Sequence, residues 1–223
     1  MAAGLAVAWG GGGFAQEPVL TRPGQMWLTE VTGEVEVAAG ESVRKAKPGE
    51  PVKADSTVKT GRKAMATLLL SNGATVRLAP ETEVQIEEFL QAPYSGSVKA
   101  ADLKEEPSVS RALVRLRRGE VRVAVKPLKA ARGSVFLLGL AAGAVRTTGG
   151  AFYAMARMHD LGLGVCNVEL ESGAAEMEPA GAESGAAATK LAVGKREAWA
   201  IEVDKASGAV TVGEMPKAEA AKK

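Results

Sequence analysis

The clearest hydrophobic pattern in the chain is an alternation over residues 65–86, MATLLLSNGATVRLAPETEVQI. Ala66, Leu68, Val76 and Leu78 share one parity, and the tripeptide Ser-Asn-Gly separates the two alternating runs. Alternation on both sides of a glycine-containing turn is typical of a β-hairpin. The sequence therefore predicts two antiparallel strands here, followed by a third strand at the end of the stretch.

Two loop lengths are open for this hairpin, and the hydrophobic faces distinguish them. A two-residue Asn-Gly loop would divide the large apolar side chains between the two faces of the hairpin. A three-residue loop over residues 71–73, with Gly73 in the left-handed conformation, pairs Leu68 with Val76 and keeps these side chains together. We therefore predict the three-residue loop. Leu69 then lies on the opposite face, which we expect to be partly covered.

Similar alternation recurs elsewhere, as in VTGEVEV at residues 31–37 and LVRLRRGEVRVAV at residues 113–125. A glycine followed by alternating residues occurs as TGEVEV, RGEVRV, SGAAEM and SGAVTV, with irregular spacing between the copies. This spacing does not fit a strict fixed-period repeat. Short strands that follow turn glycines predict an all-β fold, either β-solenoid-like or a stacked short-strand β-sandwich.

The pattern also predicts how the chain is divided. Residues 1–16 are apolar and end in small residues but lack a positively charged start, which favours a truncated signal peptide over a disordered leader. A proline-bearing lead-in segment, 17–26, precedes a β domain at 27–205. A loop insertion near 91–110 contains two prolines and a charged run. The tail, 206–223, is predicted to be mostly disordered.

Composition limits the function more than it defines it. The net charge is only +2, so no chain-wide basic field points to nucleic acid. Aromatic residues make up 4% of the chain and glycines number 26, so the core must consist of aliphatic side chains between many turns. No apolar segment is long and uninterrupted enough to predict a transmembrane span.

The sequence offers little catalytic chemistry. His159, followed by Asp160, is the only histidine and lies in a glycine-flanked turn, without further ligands or a nucleophile. Cys166 is the only cysteine, and its parity with Val168 predicts a buried, inert thiol. Gly149 and Gly150 lack the GK[ST] ending of a phosphate-binding loop and are better explained by tight backbone packing. We therefore predict no catalytic residue, metal site or cofactor, and no enzymatic activity.

Arginines on the segment 113–125 form the strongest charge feature of the sequence. Arg115 and Arg117 share one strand face, and Arg122 follows on the second half of the same segment. These three residues could form a stripe that binds an acidic partner or an anionic glycan. The alternative is the solvated face of an edge strand, where long cations discourage aggregation.

The chain resembles the FecR domain family, named for the ferric-citrate regulator. The resemblance rests on the leucines before the turn glycine, then Val-x-Leu, proline and a polar run. Further glycine landmarks occur in order from about 27 to 203: Gly33, Gly49, Thr60-Gly61, Gly119, Gly149 to Phe152, Gly173 and Gly194. The sequence departs from the family at 146–152, where RTTGGAF stands in place of the usual Arg-Gly-Thr-x-Phe.

The resemblance implies a β-solenoid-like domain outside the cytoplasmic membrane. In the best-known members this domain relays the state of an outer-membrane receptor to a sigma factor, which also requires a membrane-spanning helix. We therefore expect an exported, periplasmic or envelope-associated, non-enzymatic module that binds an envelope or membrane protein through strand edges or loops. The alternative is a carbohydrate- or peptidoglycan-binding module, for which Trp27 is the best candidate aromatic platform.

Overall fold

The described residues of the computed structural model, 20–95, 99–158, 162–180, 188–203 and 210–214, fold almost entirely as β-strands. Short 3₁₀ turns lie at Ala100–Asp102 and Ala130–Arg132. The all-β prediction is confirmed. The strands are β1 Met26–Thr32, β2 Val35–Ala39, β3 Ser42–Lys45, β4 Glu50–Val52, β5 Ser56–Thr60, β6 Met65–Leu70, β7 Thr75–Leu78, β8 Glu83–Gln91, β9 Ser110–Val125, β10 Val135–Leu140, β11 Gly143–Met158, β12 Leu163–Pro179, β13 Thr189–Lys190, β14 Arg196–Val203 and β15 Val210–Glu214.

The hairpin predicted within residues 65–86 is β6–β7, and its loop has the predicted length. Leu68 pairs with Val76, and the backbone N–H of Leu70 donates to the carbonyl of Ala74 at 2.9 Å. Gly73 has φ +87°, in the left-handed region. Leu69 is buried on the opposite face, and the 3₁₀ turn Ala100–Asp102 lies close to β6.

All strands belong to one mixed sheet. The long strands β9, β11 and β12 each pair with one set of neighbours along one half of their length and with another set along the other half, so the sheet consists of two half-sheets. Half-sheet one runs β3-β2-β5-β8-β9-β10-β11-β12-β13 and uses the N-terminal halves of β9 and β11 and the C-terminal half of β12. Half-sheet two runs β4-β1-β6-β7-β9-β11-β12-β14-β15 and uses the other halves.

The inward-facing side chains of both halves form one hydrophobic core. Ile86 and Leu138 represent half-sheet one, Leu68 and Phe152 represent half-sheet two, and all four are fully buried. Since almost no helix is present in the described residues, the two half-sheets cover each other. The arrangement is a sandwich-like sheet folded over its own core, rather than a stack of short strands alone.

Glycines allow the long strands to pass from one half-sheet to the other. Gly119, in the middle of β9, has φ +91°, and a Cβ placed on it would lie 2.5 Å from the Cα of Thr82. Gly150 of β11 and Gly173 of β12 lie so close that a Cβ on Gly150 would be 2.7 Å from the Cα of Gly173. The prediction that the glycines at 149–150 serve tight backbone packing is therefore confirmed.

Two segments are more ordered than the sequence suggested. The loop insertion lies between β8 and β9 and includes the 3₁₀ turn Ala100–Asp102, and Glu106, Ser108 and Val109 are buried rather than exposed. β15 lies inside the stretch 206–223, for which little structure was predicted, and pairs along β14. The predicted signal peptide at 1–16 lies outside the described residues.

Candidate protein-binding surface

Reactive groups do not gather into a site in the part of the chain that the structure describes. No group of three or more His, Cys, Asp or Glu side chains there could hold a metal ion. Cys166 is buried, as predicted, and this burial raises the pKa of its thiol. His159 and Asp160 lie outside the described residues.

Two of the predicted stripe arginines, Arg115 and Arg117, bind acceptors on β8. Arg115 donates through Nε and Nη2 to the two carboxylate oxygens of Glu87, the second bond measuring 3.3 Å. Arg117 Nε donates to Gln85 Oε1 at 3.1 Å. Since β8 pairs directly with the first half of β9, these contacts hold two neighbouring strands together.

Arg122 has different neighbours, because it follows the bend at Gly119. It lies directly opposite Arg77 of β7, and the side chains of Arg122 and Arg77 are 62% and 58% exposed. Their carboxylate partners are Glu171, 2.8 Å from Arg122, and Glu30, 3.6 Å from Arg77. Two arginines therefore occupy opposite positions on the outer face of half-sheet two, apart from Arg115 and Arg117, and each pairs with a carboxylate on the side away from the other.

Tyr153 of β11 continues this row on the other side of Arg122. The guanidinium carbon of Arg196 lies 6.0 Å from the centre of the Tyr153 ring. Burial, with a further contribution from the Glu120 carboxylate, raises the pKa of Tyr153 to about 12. Sequence reasoning missed Tyr153, although its place next to Phe152 in an alternating strand puts it on the face opposite to that apolar side chain.

The lead-in segment is tied to the body of the protein before β1 begins. Gly24 N–H donates to the carbonyl of Phe89 at 2.9 Å, and a Cβ on Gly24 would lie 2.2 Å from the Phe89 ring. Ser71, in the hairpin loop, accepts through Oγ from Gln25 N–H at 3.1 Å and donates to Gln91 Oε1 at 2.5 Å. The segment is thus held between β8 and the hairpin loop.

A groove of about 460 Å³ runs along one side of this segment. Trp27 lies in it, half-buried, between Pro51 of β4 and Leu69 of β6, to which it is paired across the strands. Lys53 lies at the exposed part of the lining. The other lining residues are mostly apolar: Pro23, Gly24, Gln25, Met26, Val52, Ala54 and Phe89.

A buried polar network fixes the loop between β8 and β9 against the hairpin turn. Ser110 Oγ donates to Glu106 Oε2 at 2.6 Å and accepts from Asn72 Nδ2 at 3.0 Å. The Glu106 carboxylate also accepts from the backbone N–H of Lys129. No signal in the sequence pointed to this burial, because Glu106 stands in a charged run that is typical of a solvent-exposed loop.

No helix in the described residues has the length and apolar character needed to cross a bilayer.

A comparison with protein families matches residues 56–176 to the family described as FecR protein. No curated protein matches the chain. Among solved structures, two crystal structures of a candidate anti-sigma factor from Parabacteroides distasonis ATCC 8503, at 2.50 and 1.65 Å resolution, match with a TM-score of 0.43 and with 16% and 15% identity. Each match covers 71% of this chain and 59% of the other. Since the family match spans more than half of its 223 residues, the chain belongs to the FecR protein family.

Proposed function

We propose that this protein is a non-enzymatic module of the cell envelope that relays a signal by binding a partner protein. The groove around Trp27 carries the proposal. A half-buried tryptophan beside proline and leucine side chains has the composition of a protein-binding hot spot. Membership of the FecR family supports a regulatory rather than a catalytic role.

The arginine stripe enters this proposal in a reduced form. Arg115 and Arg117 are assigned to the contact between β8 and β9, because their guanidinium groups bind Glu87 and Gln85. Arg122, beside Arg77, is assigned to an acidic surface of the partner. Both arginine side chains stay more than half exposed beside their own carboxylate partners, which leaves donors on each for the carboxylates of an acidic surface.

The proposed location is the periplasm or the outer surface of the cell envelope, reached by export. The family resemblance and the signal-like composition of residues 1–16 support it. Fusion of residues 1–30 to a reporter that is active only after export tests this location. An inactive, cytoplasmic fusion would contradict it.

The function is tested with the Trp27→Ala variant in cells of the source organism. Chemical crosslinking should join the wild-type protein to a defined envelope protein. Quantitative mass spectrometry should show that the amount of this crosslinked product falls by about tenfold or more in Trp27→Ala, as for a hot-spot residue. Tyr94→Ala is the matched control, because Tyr94 is an exposed aromatic residue that does not line the Trp27 groove. Equal crosslinking in all three proteins would contradict the proposal.

The glycan-binding alternative gives a different result at the same residue. Titration with soluble peptidoglycan fragments would then quench tryptophan fluorescence in the wild type, and Trp27→Ala would remove the quenching. We expect no quenching, because the mostly apolar lining of the groove offers few hydrogen-bond partners to sugar hydroxyls.

A further inference from the structure

The edge strands of the sheet differ in how well they are protected against pairing with another chain. At one end of half-sheet two, β4 exposes Pro51, which has no N–H to donate, and its carbonyl accepts from Arg44 Nη2 at 3.1 Å. On half-sheet one, β3 contains Arg44 and Lys45, and β13 has only two residues. Proline, charged residues and short length are the devices that prevent edge pairing.

β15, at the opposite end of half-sheet two, has none of these devices over its first four residues, Val-Thr-Val-Gly. Among the described residues it pairs only with β14. β-branched residues without charge favour an extended, flat strand. β15 is therefore the edge best suited to accept a further strand.

The hydrogen bonds of β14 show which backbone groups of β15 point outward. Val203 N–H donates to Gly162 O at 2.8 Å, on the side of β12. Because the direction of the backbone N–H and C=O groups alternates along a strand, those of Glu202 point to β15, where Glu202 is paired with Thr211. Thr211 and Gly213 are thus bonded to β14, while the N–H and C=O groups of Val210, Val212 and Glu214 point away from the sheet.

The core is also incomplete beneath this edge. Val212 and Val203 pack against the core but are only partly buried. Val212 is paired with Ile201, which is buried, so the two side chains share the inward face. A strand added beside β15 would place its own inward side chains next to Val212 and extend the core.

We propose that β15 is the edge at which the partner protein adds an extended strand, with apolar residues at alternating positions facing the core. This inference rests on the proposed function and specifies its contact. A second copy of this chain fits less well. Two β15 edges that pair with each other form a ladder about 17 Å long. The surface buried along such a short ladder is far below the ~1,000 Å² that a stable dimer needs. A short edge suits a weak, reversible contact with a partner that adds contacts of its own.

Amide hydrogen exchange of the full-length protein, read residue by residue by NMR, tests the edge directly. The probe is the synthetic peptide KTVTVTK at millimolar concentration, and KTPTPTK is the matched control. In antiparallel pairing, a peptide valine that faces the core beside Val212 directs its own N–H to β15, and proline in its place cannot donate to the ladder. We expect KTVTVTK to slow exchange at Val212 by about tenfold, with no change at Thr211 or Gly213, which already bond to β14. Uniform or absent protection would overturn the proposal. So would a Val212 amide that is already as protected as Thr211 without peptide.

Two variants separate the backbone bond from the side chain. Val212→Pro removes the outward N–H while leaving the bonds of Thr211 and Gly213 to β14, and we expect it to abolish both peptide protection and crosslinking to the partner. Val212→Ala keeps the N–H, and we expect it to retain the protection pattern. Far-ultraviolet circular dichroism and the thermal midpoint establish that each variant is folded.

The outcome distinguishes this inference from the proposed function. If the Trp27-dependent partner crosslinks equally well to folded Val212→Pro and to wild type, the β15 contact is wrong and the proposed function stands. If the wild type crosslinks to no defined partner, the proposed function fails, whatever the peptide does.

Discussion

β9 carries arginines on both sides of Gly119, with the same chemistry and opposite surroundings. Before Gly119, Arg115 lies beside β8 and forms a two-pronged contact with Glu87. After Gly119, Arg122 lies opposite another arginine, Arg77, and its carboxylate partner, Glu171, is on β12, beyond the neighbouring strand β11. The bend at Gly119 thus separates a charge-complementary strand pair from a like-charged one.

The difference shows which forces set the strand register in each half-sheet. Between β8 and β9, opposite charges on adjacent strands add to the inward apolar row and favour one register. Between β7 and β9 the cross-strand charges oppose pairing, so the buried contact of Val76 with Val123 must hold the register. Each arginine of this like-charged pair also has a carboxylate partner on its far side, Glu30 for Arg77 and Glu171 for Arg122.

The bend itself gives the largest expected effect. Gly119→Ala should lower the free energy of unfolding by about 3 kcal/mol, the sum of left-handed backbone strain and the displacement of Thr82. A Cβ at this position would lie 2.5 Å from the Thr82 Cα, which cannot rotate away. Urea denaturation followed by circular dichroism measures the change.

Gly40→Ala is the control for the bend, because Gly40 has φ +58° and a Cβ added there would meet no atom within 4 Å. It should cost only the backbone strain, about 1 kcal/mol. Equal losses of unfolding free energy in the two variants would mean that the close approach of residue 119 to Thr82 does not require glycine.

The charge-complementary pair gives the next effect. A double-mutant cycle of Arg115→Ala and Glu87→Ala should yield a coupling energy of about 1 kcal/mol, because the contact is two-pronged and partly buried. Arg62 and Glu81, 3.5 Å apart and largely exposed, should couple by about 0.2 kcal/mol in the same assay. A coupling for Arg115 and Glu87 no larger than this control would remove their assigned role in joining β8 to β9.

The sequence predicted those parts of the molecule that depend on local pattern. The hairpin loop at 71–73 followed from alternation and one glycine. The local sequence pattern could not show that Arg115 and Arg122 face different neighbours, because strand pairing depends on residues far away in the chain. The burial of Glu106 was likewise hidden, since its partners Ser110 and Lys129 lie in later segments.

The like-charged pair should respond in the opposite direction. Arg77→Thr should raise the free energy of unfolding by about 0.3 kcal/mol at low salt, because it relieves repulsion with Arg122 while losing only a long contact to Glu30. Arg111→Thr, which removes a 2.8 Å ion pair with Glu88, should instead lower it by about 0.5 kcal/mol. The gain for Arg77→Thr should shrink in about 1 M salt, and a loss at low salt would contradict the repulsion.

The titration of Tyr153 measures the electrostatics around Arg122 directly. Burial and the nearby Glu120 carboxylate raise the pKa of its hydroxyl from 10.0 to about 12. Below pH 10 the hydroxyl is protonated in both folded and unfolded chains. Between pH 10 and about 12 only the unfolded chain loses the proton, so this contribution to stability falls as the pH rises through that window.

The chain has two tyrosines, so Tyr94→Phe leaves Tyr153 as the one phenol that titrates. Its absorbance at 295 nm should rise with a midpoint near 12, and adding Glu120→Gln should lower the midpoint, because the carboxylate charge that opposes ionisation is gone. Arg196→Gln should raise it, since this guanidinium stabilises the phenolate. A midpoint near 10.0 in the Tyr94→Phe protein would mean that Tyr153 is solvated, and that the row from Arg77 to Tyr153 is an ordinary exposed surface.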